Sequence, residues 1–119
     1  MKVVVVGAGK MGLPLACQLA DNGAEVTACD INPLIVEKIN KSITPFYEPG
    51  LEEFMQRNIQ AGKLRADTEI ASAVSVAEVV IIIVPALLAA NNDIVRCNIP
   101  IQGVWTFIGL YDHLVIRRV

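Results

Sequence analysis

Three glycines near the start of the chain, Gly7, Gly9 and Gly12, have the spacing G-x-G-x-x-G. In this pattern the first glycine permits a tight turn, the second lets a pyrophosphate approach the backbone, and the third lets a helix pack closely on a sheet. The unpaired N–H groups at the start of a helix also favour a bound phosphate. The motif predicts a dinucleotide site, whose pyrophosphate-binding residues would be Gly7, Ala8, Gly9, Lys10, Met11 and Gly12.

The neighbours of the glycine motif are those that a dinucleotide site requires. The apolar run at residues 3–6 predicts a strand directly before the motif, and a helical pattern begins directly behind it. An acidic residue, Asp30, ends the next predicted strand, residues 24–30. The alternative is a glycine turn that binds no ligand, and this context favours the dinucleotide site over it.

Asp30 supplies the second half of the predicted site. It stands 18 residues after Gly12, close to the spacing at which a carboxylate accepts hydrogen bonds from the adenosine ribose. A carboxylate there would repel a 2′-phosphate, and residues 31–35 contain no Arg or Lys. The pattern therefore favours NAD over NADP. An alternative role for Asp30 is to cap the helix that opens at Pro33, and the two roles are compatible.

A glycine motif of this kind needs a sheet and helices to position it, and the sequence predicts both. Strands are predicted at residues 3–6, 24–30, 64–66 and 78–85, and helices at residues 11–21, 33–40, 51–60 and 69–76. This alternation predicts an α/β fold with a Rossmann-type, doubly wound parallel sheet. The apolar residues predicted to face the core from the first two helices are Met11, Leu15 and Leu19, with Leu13, Ala16 and Ala20 beside them, and Leu34, Ile35 and Ile39.

Composition limits the classes of function. The chain has 119 residues, enough for one domain with its own core, and 54% of them are hydrophobic. The net charge of −2, without a block of cations, argues against nucleic acid and anionic membranes as partners. Apolar runs are of strand length, no signal-peptide pattern precedes the first strand, and three cysteines fit a reducing compartment. The expected location is the cytoplasm.

Four segments resemble the N-terminal NAD-binding domain of the UDP-glucose/GDP-mannose dehydrogenase family, the nucleotide-sugar dehydrogenases. They are residues 3–14, 25–32, 47–51 and 79–85. The sequence Tyr47-Glu48-Pro49-Gly50-Leu51 discriminates best, because it is similar to an insertion after the second strand that most Rossmann enzymes lack. The resemblance extends from residue 1 to about residue 94.

The resemblance implies an activity for the complete enzyme. Members oxidise the C6 alcohol of a sugar nucleotide to the acid, using two NAD in turn and a cysteine nucleophile. The resemblance also implies that Val84, Pro85 and Ala86 pass beside the nicotinamide-side ribose, at the carboxyl end of a strand. The family's catalytic residues have no counterparts in the matched part. No residue of this chain is therefore predicted to be catalytic, and the chain is expected to be inactive alone.

The sequence departs from the family in several places. Ile35 stands where a basic residue is common, and Ala86 stands where the family has a hydroxyl. Residues 1–94 are expected to form the dinucleotide-binding domain, whereas residues 95–119 form an apolar tail without a counterpart, in which residues 105–111 could form one strand or helix. This ending suggests the product of a truncated or frame-shifted gene.

Two other functions are compatible with the cofactor motif. One is a stand-alone NAD-sensing regulatory module, and the other is the cofactor domain of another NAD-dependent dehydrogenase. The insertion at residues 46–60 favours a nucleotide-sugar dehydrogenase, because a sensing module does not need it. The expected partners are NAD, a sugar nucleotide only in the complete enzyme, and a second copy of the chain through exposed apolar surface.

Overall fold

The fold follows the predicted alternation of strands and helices. A computed structural model describes residues 1–83 in full and the backbone of residues 105–110 and 113–118. Its elements are β1 (Lys2–Val6), α1 (Gly12–Asp21), β2 (Glu25–Cys29), α2 (Pro33–Asn40), α3 (Leu51–Gln60), β3 (Leu64–Asp67), α4 (Ile70–Ser75), β4 (Val79–Ile83), β5 (Trp105–Leu110) and β6 (His113–Arg118). Within these ranges, no helix has the length and apolar composition needed to cross a membrane.

The strands form one sheet in the order β3-β2-β1-β4-β5-β6. All neighbouring pairs from β3 to β5 are parallel. The predicted parallel sheet is thereby confirmed, with β1 at the point where the strand order reverses. A ligand site in such a sheet lies outside the carboxyl ends of the strands at this reversal, which is where the glycine motif follows β1.

The last strand pair was predicted only in part. Residues 105–111 were expected to form one strand or helix, and β5 is that strand. The strand β6, which pairs with β5 antiparallel, was not predicted. Only two residues, Tyr111 and Asp112, separate the two strands. A link of that length can join antiparallel neighbours, whereas parallel neighbours need a crossover of a dozen or more residues.

Helices cover both faces of the sheet, so the core has two layers. Alternate side chains of a strand point to opposite faces, and in β1 both faces are buried. The layer beneath α1, α2 and α3 contains Val3, Val5, Val26, Ala28 and Leu64 from the strands. The layer beneath α4 contains Val4, Val6, Cys29, Val80 and Ile82.

The predicted buried face of α1 was wrong in part. Met11 is 71% exposed, and Leu15 and Leu19 are only half-buried. The residues predicted beside this stripe, Leu13, Ala16 and Ala20, are buried as expected, together with Gly12 and Cys17. The physical reason is the contact between Gly12 and the turn before the helix, which fixes the side of α1 that meets the sheet.

The predicted face of α2 also needs correction. Leu34 is 65% exposed and Ile35 is half-buried, whereas Val36 and Ile39 are buried. Asn40 bonds to β3, and Val36 lies four residues before Asn40 on the same side of the helix. This long-range contact therefore sets the rotation of α2.

Asn40 covers part of the exposed edge of the sheet. Its Nδ2 donates to the carbonyl oxygen of Ala66, and its Oδ1 accepts from the N–H of Ala66, both at 2.9 Å. Ala66 belongs to the edge strand β3, and an unpaired edge is a template for pairing with another chain. The amide of Asn40 thus occupies the backbone groups that a further strand would use.

Replacing Asn40 by alanine is expected to lower the free energy of unfolding by about 1–3 kcal/mol, since two hydrogen bonds are lost. The variant should also scatter more light at high protein concentration, because the edge becomes available. Urea unfolding measures the first effect, with Asn22→Ala as control: the side chain of Asn22, directly after α1, bonds only to the carbonyl oxygen of Gln18 among the described residues. Equal stability of the two variants would contradict the role of Asn40.

Candidate cofactor-binding site

The turn after β1 and the start of α1 are packed directly on each other. Gly7 has φ 105°, a left-handed value that favours glycine, and its N–H donates to the carbonyl oxygen of Cys29 at 2.7 Å. A Cβ built on Gly12 would lie 1.7 Å from the carbonyl oxygen of Gly7. Gly12 is therefore required by backbone packing, as the predicted close approach of helix and sheet implies.

The second glycine of the motif faces open space. A Cβ on Gly9 would meet no atom within 4 Å, so a ligand has access to the backbone there. Among residues 1–83, no backbone acceptor bonds to the N–H groups of the four residues Gly9, Lys10, Met11 and Gly12.

The electrostatics of this helix start favour an anion. The first turn of α1 contains no carboxylate, and its N-cap residue, Met11, makes no side-chain capping bond. The positive end of the helix dipole is thus not offset by an acidic side chain of the first turn. The ammonium of Lys10 lies on an exposed side chain of the same loop and adds to the positive potential. The loop can bind a phosphate through backbone N–H groups.

Asp30 lies beside the glycine loop, here defined as residues 7–12. Its Oδ2 accepts from the N–H of Ala8 at 3.0 Å, and its Oδ1 accepts from the N–H of Asn32 at 2.9 Å. The side chain that caps α2 is Asn32, whose Oδ1 accepts from the N–H of Leu34 at 3.0 Å. The alternative in which Asp30 itself caps α2 is therefore wrong, and its carboxylate faces the loop.

Two exposed apolar side chains near Asp30 were missed by sequence reasoning. Ile31, directly after Asp30, is 83% exposed, and Leu34 in the first turn of α2 is 65% exposed. Leu34 was assigned to the core by helical periodicity, and Ile31 carried no signal beyond its position after Asp30. Their exposure offers apolar contact area next to the carboxylate.

The third predicted part of the site is outside the described residues. Val84, Pro85 and Ala86 follow Ile83, the end of β4 in the structure. Ile82 pairs with Val6, the last residue of β1. The carboxyl ends of the two strands therefore lie side by side. The contribution of residues 84–86 to the site stays a prediction.

The two described cysteines are buried in the core, one in each layer. Burial raises the pKa of the Cys17 thiol from 9.0 to about 11. Burial, and secondly the nearby carboxylate of Asp67, raise the pKa of Cys29 to about 11 as well. The thiolate is the reactive form of cysteine, so both side chains are packing residues at neutral pH. Cys97 lies outside the described residues.

We expect Cys17 and Cys29 to resist alkylation by iodoacetamide at about pH 8 in the folded chain, because both are buried and protonated. Mass spectrometry of proteolytic fragments measures this, with a urea-unfolded sample as the reactive control. In the unfolded chain the thiols lose protons near pH 9.0, and in the folded chain near pH 11. The free energy of unfolding should therefore fall as pH rises through this window. Rapid alkylation of the folded chain would contradict the burial.

The chain matches known proteins over most of its length. Residues 1–99 match the model of the UDP-glucose/GDP-mannose dehydrogenase family, NAD binding domain. The chain belongs to this family. The NAD-binding domain of the family is the part that the chain represents, NAD is its cofactor, and the predicted resemblance is confirmed.

The relatives are dehydrogenases of sugar nucleotides. A GDP-mannose 6-dehydrogenase of Pseudomonas syringae pv. syringae is 35% identical over 94 residues, which are 79% of this chain and 22% of the relative. The UDP-glucose 6-dehydrogenase YwqF of Bacillus subtilis is 34% identical over 84 residues, 71% of this chain and 19% of the relative. The chain thus spans about a fifth of the length of these relatives.

A solved structure gives the same assignment. A ternary complex of GDP-mannose dehydrogenase from Pseudomonas aeruginosa superposes with a TM-score of 0.73 at 32% identity, over 79% of this chain and 22% of that one. The predicted Rossmann-type fold is confirmed by this similarity and by the strand order. The open backbone at Gly9 and the N–H groups of the loop fit the cofactor of the family.

Proposed function

We propose that this chain provides the NAD-binding part of a nucleotide-sugar 6-dehydrogenase, which oxidises the C6 alcohol of a sugar nucleotide to the acid. The observation that carries the proposal is the glycine loop, whose backbone is open at Gly9 while the carboxylate of Asp30 lies against the same loop. The sequences of the GDP-mannose and UDP-glucose 6-dehydrogenases support it. The helix α3 supports it too, because it lies in the insertion at residues 46–60, which a sensing module does not need.

Each part of the cofactor has candidate residues in this chain. The pyrophosphate would be held by the backbone of Gly7, Ala8, Gly9, Lys10, Met11 and Gly12. Asp30 would accept hydrogen bonds from the adenosine ribose, and Val84, Pro85 and Ala86 would border the nicotinamide-side ribose. When bound, NAD accepts a hydride from the substrate. The residues of this chain bind and orient the cofactor, and none of them is assigned a catalytic role.

The surroundings of Asp30 support discrimination between nucleotides. A 2′-phosphate would place negative charge against this carboxylate, and residues 31–35 supply no cation to offset it. Exposed Ile31 and Leu34 supply an apolar surface on which an adenine ring could pack. We therefore propose binding of NAD in preference to NADP.

Several features of the whole protein belong to this proposal. The dinucleotide-binding domain comprises residues 1–94, and residues 95–119 add the strands β5 and β6 to its sheet. The sugar nucleotide would bind only in a complete enzyme, the location is the cytoplasm, and a second copy is the expected protein partner. Exposed apolar side chains, among them Tyr47 and Val76, supply surface for such contacts.

The test is a calorimetric titration of the folded chain with NADH and NADPH, with quenching of the sole tryptophan, Trp105, as a second signal. Saturable binding of NADH is expected, with NADPH at least about tenfold weaker, because a hydrogen bond to a charged group is worth about 1.5–3 kcal/mol and a 2′-phosphate would replace the bond to Asp30 by repulsion. As a control, Glu25→Gln removes a carboxylate at the other end of β2, and it should bind NADH and NADPH as the wild type does. Absence of NADH binding to folded protein would refute the cofactor role.

A second assay addresses catalysis. The chain is incubated with NAD and either UDP-glucose or GDP-mannose, and NADH formation is followed by absorbance. No turnover is expected, because the chain carries no residue assigned to the oxidation. Turnover by this chain would show that it contains catalytic residues and would overturn the assignment of a binding role alone.

A further inference from the structure

Both carboxylate oxygens of Asp30 accept hydrogen bonds from backbone N–H groups. Oδ2 accepts from the N–H of Ala8, a residue 22 positions earlier in the chain, at 3.0 Å. Oδ1 accepts from the N–H of Asn32 at 2.9 Å. One side chain thus connects the glycine loop, the end of β2 and the start of α2.

The contact with Ala8 satisfies a donor that cannot easily find another partner. Ala8 is 0% exposed, and a buried N–H without an acceptor is unfavourable. The preceding N–H, that of Gly7, donates to the carbonyl oxygen of Cys29 at 2.7 Å. Two successive peptide groups of the loop are therefore bonded to Cys29, the last residue of β2, and to Asp30 directly after it. The first bond is to a backbone carbonyl and the second is to a side chain.

The carboxylate retains acceptor capacity for a ligand. An ionised carboxylate offers about four lone-pair sites, and the two backbone N–H groups use two of them. Two sites remain for ribose hydroxyls. The bond to Ala8 is thus compatible with binding of the adenosine ribose.

We propose that Asp30 is a positioning residue for the pyrophosphate-binding loop, in addition to its contact with the ribose. This inference rests on the proposed cofactor role of the loop. Asp30 then couples two subsites, because the same carboxylate that recognises the ribose holds Ala8 in place. Replacing Asp30 with a small neutral residue removes the repulsion of a 2′-phosphate but also releases the loop, so affinity for NADH and NADPH should both fall.

The test separates the two roles by removing the hydroxyls from the ligand. ADP and 2′,3′-dideoxy-ADP are titrated into the wild type, Asp30→Ala and Asp30→Asn, with Glu25→Ala as control. If Asp30 acts only on the ribose hydroxyls, its removal leaves the affinity for dideoxy-ADP unchanged. If it also holds the loop, Asp30→Ala weakens dideoxy-ADP by about three- to tenfold, the effect of one hydrogen bond. Asp30→Asn should recover part of this loss, because the amide oxygen can accept from one N–H.

A measurement without nucleotide tests the same contact independently. Hydrogen exchange of the Ala8 amide, followed by NMR, should be faster by about tenfold or more in Asp30→Ala than in the wild type or the control. The Asp30→Asn variant retains the shape of the side chain and serves if the alanine variant fails to fold. In Asp30→Asn, hydrogen exchange at the amide of Ala8 or of Asn32 should be faster, because the single amide oxygen replaces only one of the two acceptors. Unchanged affinity for dideoxy-ADP, or unchanged exchange at both amides, would overturn the positioning role. If the wild type binds neither ligand, the proposed cofactor role fails, and the exchange of the Ala8 amide alone decides whether Asp30 holds the loop.

Discussion

Gly12→Ala is expected to abolish detectable NADH binding and to lower the free energy of unfolding by about 1–3 kcal/mol, the usual cost of overpacking. The added Cβ would lie 1.7 Å from the carbonyl oxygen and 2.9 Å from the carbonyl carbon of Gly7. These are backbone atoms and cannot rotate away. Gly7 is itself fixed, since its N–H bonds to Cys29. Relief requires α1 to move off the turn, which displaces the N–H groups that would bind the pyrophosphate.

Gly9→Ala is the matched control for stability, since it adds the same methyl group to the same loop but in open space. The stability of this variant should stay close to that of the wild type, but its affinity for NADH should fall because the methyl group stands where a pyrophosphate would approach. Urea unfolding and calorimetry with both variants separate packing from access. Wild-type stability of Gly12→Ala would contradict the contact between turn and helix.

The sequence predicts best those features that depend on neighbouring residues. The glycine loop, the strand before it and the acidic residue after β2 lie within 30 residues, and each has a local physical requirement. The order of all elements through β4 was predicted correctly for the same reason. Continuous apolar strands and amphipathic helices are visible as periodicity without knowledge of the tertiary structure.

Features that depend on distant contacts were predicted less well. Helical periodicity assigned Leu34 to the core, but the bond between Asn40 and Ala66 turns α2 so that Val36 is buried instead. The contact of Gly12 with Gly7 similarly determines the buried side of α1. Helix propensity and hydrophobic periodicity cannot report such contacts, since the partner residue lies elsewhere in the chain. The bond from Ala8 to Asp30 is of this kind.

The second large effect concerns α3 (Leu51–Gln60), the helix within the insertion at residues 46–60. Met55 is 0% exposed, and with Leu51 it packs in the layer beneath α1, α2 and α3. Met55→Ala is expected to lower the free energy of unfolding by about 2–5 kcal/mol, through lost burial and the cavity that remains. Gln60→Ala, at an exposed position of the same helix, should leave stability nearly unchanged. Urea unfolding of both variants measures the difference.

NADH should rescue this loss without any change in the site. Met55 belongs to the core and not to the glycine loop, so the folded variant should bind NADH with the dissociation constant of the wild type. A ligand that binds only folded protein stabilises it by about 2.7 kcal/mol at 100 times its dissociation constant. Wild type and Met55→Ala should therefore gain the same increment, which would restore much of the stability lost by the variant. A smaller gain for Met55→Ala would mean that α3, through its packing on α1, also holds the glycine loop in its binding conformation.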